Sequence, residues 1–268
     1  MNILYADIAE DFKHTYITTM FELRKHMRRR RLLIAAFLAI LFPVLFYVVP
    51  IAINSPFPEQ ALLFASNNLG FTEMLIVISS TFFASDAICG ELDKRTYLVS
   101  FTMPQRRTSF IVGKYAAAFI ATGFVISIYY LMILAEMIGI YGAFQIPLGF
   151  LTSYLIGLLY TMAAISVAFL FSSLLKSTIS SALLVFFTLF MILPIVSGLL
   201  TLAKYDNWYV LTNTSSLITG VFGVSTGGAM GGMGGSALNF YVGLKVMASY
   251  AIGLFCASLA ITLYRGVE

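Results

Sequence analysis

The chain has 268 residues, of which 60% are hydrophobic and only 10% are charged, and its mean hydropathy is +0.92. Soluble globular domains carry about 25% charged residues, so this composition excludes an ordinary water-soluble domain and predicts a membrane protein. The net charge of +4 comes from 16 basic and 12 acidic side chains. Because the basic residues flank apolar segments, we assign them to membrane topology rather than to nucleic-acid binding.

Residues 1–31 predict an amphipathic helix that lies on the cytoplasmic membrane surface. Apolar residues recur at steps of three or four and form one stripe, made of Ile8, Phe12, Tyr16, Met20, Leu23 and Met27. The segment ends in the basic cluster Arg28, Arg29, Arg30 and Arg31, which favours the anionic cytoplasmic leaflet. A helix packed on a partner protein is the alternative. The polar lead is too long for a secretory signal peptide, so we expect no cleavage here.

Apolar stretches of the length that a helix needs to cross the ~30 Å hydrocarbon layer follow this segment. They predict six membrane spans, at residues 32–53, 69–89, 110–138, 148–175, 179–202 and 241–264. The predicted fold class is therefore an all-α polytopic membrane protein. Residues 32–268 are expected to form a single transmembrane domain.

The distribution of Lys and Arg predicts the orientation of these spans. With six spans and the N-terminus inside, 14 of the 16 basic residues fall on the cytoplasmic side, and only Lys204 and Lys245 fall outside. The outer segments 54–68 and 139–147 contain neither Lys nor Arg. We therefore expect a multi-pass protein of the cell membrane with both termini in the cytoplasm.

The longest outer segment, residues 203–240, is rich in glycine and in apolar side chains. Eight glycines lie between positions 220 and 235, too many for a rigid helix. The apolar residues Leu217, Ile218 and Phe222 lie beside them. We expect this segment to dip back toward the bilayer or to cap an outer cavity; a disordered linker is the alternative.

Few side chains could support catalysis or ion coupling. Both histidines precede the first span, so no intramembrane histidine can bind a metal or activate a serine. The acids that we assign to the spans are Asp86, near the inner end of the second, and Glu136, near the outer end of the third. Each lies close enough to an interface to have a structural role.

A phosphate-binding loop of the form G-x-x-x-x-G-K-[ST] is absent from the sequence. The nearest fragment, Gly113-Lys114, is followed by Tyr115 and lacks the upstream glycine. We therefore expect no ATP hydrolysis by this chain itself, and neither a metal nor a cofactor bound to it.

The predicted inner loop, residues 90–109, places apolar residues inside a charged sequence. Leu92, Leu98, Val99, Phe101 and Met103 lie between Glu91 and the basic pair Arg106-Arg107. An exposed apolar patch with a polar rim is typical of a partner site. We expect a short helix that ends before Pro104, because proline disfavours helical dihedrals in the preceding residue. A loop folded onto the membrane surface is the alternative.

At these residues the chain resembles the permease subunits of ABC type-2 transporters. The inner loop of that family typically reads as an acid, a Gly-Thr pair with leucines, a Pro, a basic residue and a later Gly-Lys. The matching residues are Glu91, Thr96, Leu98, Pro104, Arg106 or Arg107, and Gly113-Lys114. Arg95 stands where the family has glycine. The segment from Phe21 to Arg31 is similar to the interfacial elbow helix of the family.

The resemblance implies a permease that pairs with a second permease, identical or similar, and with two separate ATPase subunits that bind ATP and Mg²⁺. It further implies export, and a coupling helix in the inner loop that receives force from the ATPase. We expect Glu91 to pair with Arg95 or with a basic residue of the elbow helix. Two other classes stay open: a secondary transporter driven by an ion gradient, and a membrane anchor or sensor subunit.

Overall fold

The computed structural model describes residues 2–28, 30–93, 106–142, 147–223 and 239–265. These residues are helical or lie in turns, and no strand is found among them. The helices in chain order are α1 (Asn2–Arg28), α2 (Arg30–Ala52), α3 (Ala61–Leu69), α4 (Thr72–Ala84), α5 (Cys89–Asp93), α6 (Arg107–Tyr141), α7 (Gly149–Leu174), α8 (Thr178–Phe187), α9 (Leu193–Leu202), α10 (Leu211–Thr214), α11 (Ser216–Gly220) and α12 (Phe240–Arg265). A π-helical turn, Thr188–Ile192, joins α8 to α9.

Six helical stretches in the described residues are long and apolar enough to cross a membrane. We number them spans 1 to 6: Arg30–Ala52, Ala61–Glu91, Arg107–Tyr141, Gly149–Leu174, Thr178–Leu202 and Phe240–Tyr264. The predicted all-helical fold with six membrane helices is confirmed. The boundaries differ most in span 2, which begins at Ala61 rather than at residue 69.

Consecutive spans run in opposite directions, so the bundle has two ends. The end that contains α1, Asp86 and the start of span 3 is named the basic end; there Arg106 lies 2.8 Å from Asp11. The opposite end is named the cap end; there the Tyr141 hydroxyl donates to the carbonyl of Pro58 at 2.5 Å.

Spans 2, 3 and 4 form the centre of the bundle. The apolar windows of these spans are 61%, 50% and 67% buried, compared with 17%, 17% and 22% in spans 1, 5 and 6. Small residues allow the central helices to approach closely, as is typical inside membranes; Ala117 and Ala118 of span 3 and Ala164 and Ala168 of span 4 are fully buried. The outer faces of spans 1, 5 and 6 therefore depend on lipid or on another protein for burial.

Span 2 is broken close to the basic end. Its helix α4 ends at Ala84 and α5 begins at Cys89, and residues 85–88 form turns. The hydroxyl of Ser172 in span 4 accepts hydrogen bonds from the backbone N–H groups of Ile88, at 2.9 Å, and of Cys89, at 3.1 Å. Unpaired backbone groups are costly in an apolar interior. The hydrogen bonds to Ser172 therefore stabilise the break in span 2, after which the chain continues into residues 90–109.

The described part of the glycine-rich segment folds back into the bundle. We name residues 207–220, which include α10 and α11, the cap; most of its side chains are buried. Ser153 of span 4 donates to the carbonyl of Ile218 at 2.6 Å. For these residues the structure shows a packed cap rather than a free linker. The glycines at 227–235 lie outside the described residues.

Candidate functional site

Helix α1 crosses the start of span 3 at close range. The Thr19 hydroxyl lies 3.1 Å from the carbonyl oxygen of Gly113. A Cβ atom added to Gly113 would lie 2.8 Å from the Cβ of Thr18 and 3.0 Å from the carbonyl oxygen of Thr15. A Cβ atom essentially never lies within 3.0 Å of a non-bonded heavy atom, so the approach of α1 requires glycine at position 113. The close approach of α1 thus explains why the Gly113-Lys114 pair begins with glycine.

Lys114 buries its ammonium group in a cluster contributed by three helices. Its Nζ atom lies 3.0 Å from the Glu22 carboxylate of α1 and 2.5 Å from the Glu91 carboxylate of α5. It also donates to the carbonyl of Ala87 at 2.8 Å. The Lys114 side chain is only 2% exposed, and a buried ammonium is tolerated only when it is paired and hydrogen-bonded. We name Glu22, Glu91 and Lys114 the ionic junction.

Glu22 also contacts a second cation, Lys25, at 2.8 Å. Burial raises the pKa of Glu22, but the charges of Lys114 and Lys25 and their hydrogen bonds outweigh burial and lower the pKa to about 2. Glu22 is therefore ionised at neutral pH, and the electrostatic attraction that attaches α1 to span 3 is fully present there.

Asp86, predicted as an intramembrane acid, lies at the basic end and forms an ion pair. Its carboxylate is 2.9 Å from Arg31, whose guanidinium also donates to the carbonyl of Phe82 at 3.2 Å. The pair connects span 1 to span 2 just before the break. In the predicted basic cluster, Arg28 and Arg30 are exposed, and Arg29 lies outside the described residues.

Most of the described apolar stripe of α1 faces away from the protein, and Leu23 alone of its described members packs against the core. Phe12 is 76% exposed, Tyr16 65% and Met27 62%. The polar side of the helix packs inward: Thr18 and His26 are buried, and the His26 ring meets Phe83 edge-on at 5.2 Å. An exposed apolar stripe beside exposed arginines has the composition of a helix that lies in a membrane interface.

The structure brings together only some of the predicted coupling-loop residues. Glu91 contacts Lys114, so its partner among the described residues is a lysine of span 3 and not a basic residue of α1. Arg106 pairs with Asp11 of α1, and Arg107 begins span 3. Outside the described residues lie Thr96, Leu98, Phe101 and Pro104, together with the side chain of Leu92.

Sequence reasoning missed one acid inside the bundle. Glu73 of α4 is 5% exposed; it accepts a hydrogen bond from the Tyr160 hydroxyl at 3.2 Å and lies 2.7 Å from the Ser215 hydroxyl of the cap. The signal was present in the sequence, because a Glu stands four residues inside the predicted span 69–89. The predicted acid Glu136 has one buried carboxylate oxygen with no hydrogen-bond partner among the described residues.

The comparisons with known proteins agree with this architecture. A family model described as ABC-2 family transporter protein matches residues 19–191, from within α1 to the π-helical turn of span 5, and so includes the whole ionic junction. No curated protein matches the chain. Because the family model covers more than half of the chain, it confirms the resemblance seen in the sequence. The chain belongs to the ABC-2 family of transporter permeases.

Proposed function

We propose that this chain is the transmembrane subunit of an ATP-binding-cassette exporter. It forms the translocation pathway together with a second permease, identical or similar, and separate ATPase subunits drive it. ATP and Mg²⁺ bind to those ATPase subunits, which contact this chain through residues 90–109. Family membership supports the general class. The ionic junction is the single observation that carries the proposal about how force enters the membrane domain.

The junction lies where residues 90–109 join the bundle. Glu91 is next to the start of this loop and Lys114 follows its end, and the two side chains contact each other and Glu22. A displacement of the loop by the ATPase therefore reaches α1 and span 3 together. Binding of ATP shifts the pathway between two states only if the states differ in these contacts, as any such coupling requires.

Span 3 is the element suited to carry this displacement across the bilayer. It is one continuous helix, Arg107–Tyr141, whereas span 2 is interrupted at residues 85–88. A push on the loop moves span 3 as one rod, and span 2 bends at its break.

Helix α1 serves in this proposal as the interfacial elbow. Its exposed apolar stripe enters the headgroup region, and the exposed Arg28 and Arg30 attract the anionic cytoplasmic leaflet. In this orientation α1, the loop 90–109 and both chain termini lie in the cytoplasm. The protein itself is embedded in the plasma membrane.

The test is association with the ATPase subunit. Leu98→Asp combined with Phe101→Asp is expected to abolish co-purification of the ATPase in mild detergent and the ATP turnover of the complex. The matched control is Leu202→Asp, which changes an exposed leucine, 81% accessible, at the cap end. Undiminished association of the Leu98/Phe101 variant would contradict the proposed contact.

A secondary transporter is the second candidate, and Glu73 is the observation that favours it. Ion-coupled carriers place acids within the membrane core, and Glu73 contacts Tyr160, which lies near the middle of span 4 (Gly149–Leu174). Purified protein in liposomes distinguishes the two classes. Substrate flux driven by a proton gradient without any ATPase supports the carrier, and flux that requires both ATP and the ATPase supports the exporter.

A further inference from the structure

The carboxyl group of Glu73 is buried in the bundle, and its hydrogen-bond partners among the described residues are hydroxyl groups. It is within hydrogen-bond distance of Tyr160 on span 4 and of Ser215 in the cap, and both partners are buried. No described Lys, Arg or His forms an ion pair with it. An ionised carboxylate without a cation is strongly disfavoured in such a place.

The charged and titratable groups around Glu73 are few. Span 4 contributes Tyr160, and the cap contains no charged residue. Span 3 contributes Tyr129 and Tyr130, whose hydroxyls contact the Asn68 carbonyl and the Ser153 hydroxyl. Residues 32–52 of span 1 and 178–202 of span 5 contain no charged side chain. No described cationic side chain therefore supports the ionisation of Glu73, and its position in the first turn of α4 supplies only the partial positive charge of that helix N-terminus.

The hydroxyl of Ser215 decides where the proton is. Its Oγ atom lies 2.7 Å from the Glu73 carboxyl and 2.7 Å from the carbonyl of Thr212, but a hydroxyl has only one proton to donate. If Glu73 were ionised, both neighbours would be acceptors and would compete for the single proton of Ser215. If Glu73 is protonated, it donates to Ser215, Ser215 donates to Thr212, and Tyr160 still donates to the second carboxyl oxygen.

We infer that Glu73 is a proton-binding site and that its neutral acid, by donating to Ser215, leaves the Ser215 hydroxyl to hold the carbonyl of Thr212 within the cap. Loss of the proton makes Ser215 donate to the carboxylate, because a charged acceptor binds the proton more strongly than a neutral carbonyl, and the contact with Thr212 is lost. The cap then retains its attachments to span 2 and, through Ser153 and Ile218, to span 4, but its own turn at Thr212–Ser215 is weakened. This inference concerns the cap and holds for either candidate function.

Infrared spectroscopy of the purified full chain tests whether the proton is there. At pH 7 the wild type is expected to show the carbonyl stretching band of a protonated carboxylic acid, and Glu73→Gln is expected to lose a component of it. Glu136→Gln is the matched control that identifies any contribution from the other intramembrane acid. Identical carboxylic-acid bands in the wild type and in Glu73→Gln would overturn the inference.

The only tryptophan of the chain, Trp208, lies in the cap and reports on how well the cap is packed. Quenching of its fluorescence by acrylamide is expected to increase as the pH rises in the wild type. A glutamine amide at position 73 donates to Ser215 without titrating, so Glu73→Gln is expected to lose this pH response and Glu136→Gln to keep it. The same pH response in Glu73→Gln as in the wild type, or none in the wild type up to pH 10, would refute the role of the proton in ordering the cap.

Discussion

The ammonium group of Lys114 lies 3.0 Å from the carboxylate of Glu22, although two complete membrane spans separate these residues in the sequence. This contact fixes α1 against span 3 at the point where the glycine of position 113 lets the two helices touch. Helix α1 is thus part of the folded membrane domain and not an independent appendage. The contact between α1 and span 3 can be tested at Lys114, Glu22 and Gly113.

Replacing Lys114 by Met should strongly destabilise the protein. The change leaves Glu91 without its cation and Glu22 with only the partly exposed Lys25 in a mostly buried site, and loss of one partner of a buried ion pair costs about 3 kcal/mol or more. Thermal unfolding in mild detergent measures the effect. Lys25→Met is the control, because Lys25 is 40% exposed and exposed pairs contribute only ~0–1 kcal/mol. Equal losses in the two variants would show that burial of Lys114 has no energetic role.

Acid should weaken the attachment of α1. The pKa of Glu22 is lowered to about 2 in the folded protein, compared with about 4.3 in an unfolded chain. The ionised Glu22 therefore contributes stability above pH ~4.3, and this contribution is lost as the pH falls toward ~2. The difference in melting temperature between the wild type and Glu22→Gln should be constant near neutral pH and shrink in that window. A difference that does not change with pH would contradict the ionic origin of the contact.

Gly113→Ala should separate α1 from span 3. The new methyl group meets the Cβ of Thr18 and the backbone of Thr15, and overpacking of this kind costs about 1–3 kcal/mol. Proteolysis within α1 should become faster, and the melting temperature should fall. Gly139→Ala in the same helix is the matched control, since nothing lies within 4 Å of its added Cβ and alanine is the better helix former. If Gly139→Ala is as damaging as Gly113→Ala, then helix crossing does not explain the glycine.

Ser172→Ala should loosen the break in span 2. It removes the acceptor for two backbone N–H groups, and a buried group left without a partner costs about 1–3 kcal/mol. Hydrogen exchange at Ile88 and Cys89 should accelerate selectively. Ser249→Ala is the control, because the Ser249 hydroxyl bonds within its own helix, to the carbonyl of Val246. Unchanged exchange at both amides would argue against a role of Ser172 in supporting the break.

Hydropathy and the positions of Lys and Arg were sufficient to predict the six membrane helices, because each helix depends on its own stretch of sequence and on the thickness of the bilayer. The Gly113-Lys114 pair was also visible, as part of the family resemblance. Its structural cause was not, because the partners Thr18 and Glu22 lie on another helix and no local pattern specifies them. One predicted partner of Glu91, Arg95, lies outside the described residues. The contact of Glu91 with Lys114 was not predicted, because a pairing between helices depends on how they cross.

Glu73 and the cap show a different limit of prediction from the sequence. Glu73 is plain in the sequence, but its importance comes from Tyr160 and Ser215, which only the packed bundle brings to it. The glycines of residues 203–240 drew attention to flexibility. The neighbouring residues 207–220, which contain a single glycine, are the ones that fold into the bundle. The apolar residues Leu217, Ile218 and Phe222 did indicate a cap, and all three are buried. The groove between the spans that receives α10 and α11 was not predictable, because it depends on how distant helices pack.

The length of span 3 determines where a soluble neighbour would meet this protein. Its 35 residues extend about 52 Å at ~1.5 Å per residue, whereas the hydrocarbon layer is ~30 Å thick. An upright span 3 therefore projects beyond the acyl chains as a short stalk, and α1 braces that stalk at Lys114. Residue Arg107, at its tip, is partly exposed and lies about 10 Å from Lys114 along the helix axis. A small tilt of the helix within the lipid swings that tip sideways, so that a movement in the aqueous phase becomes a change of angle inside the bilayer.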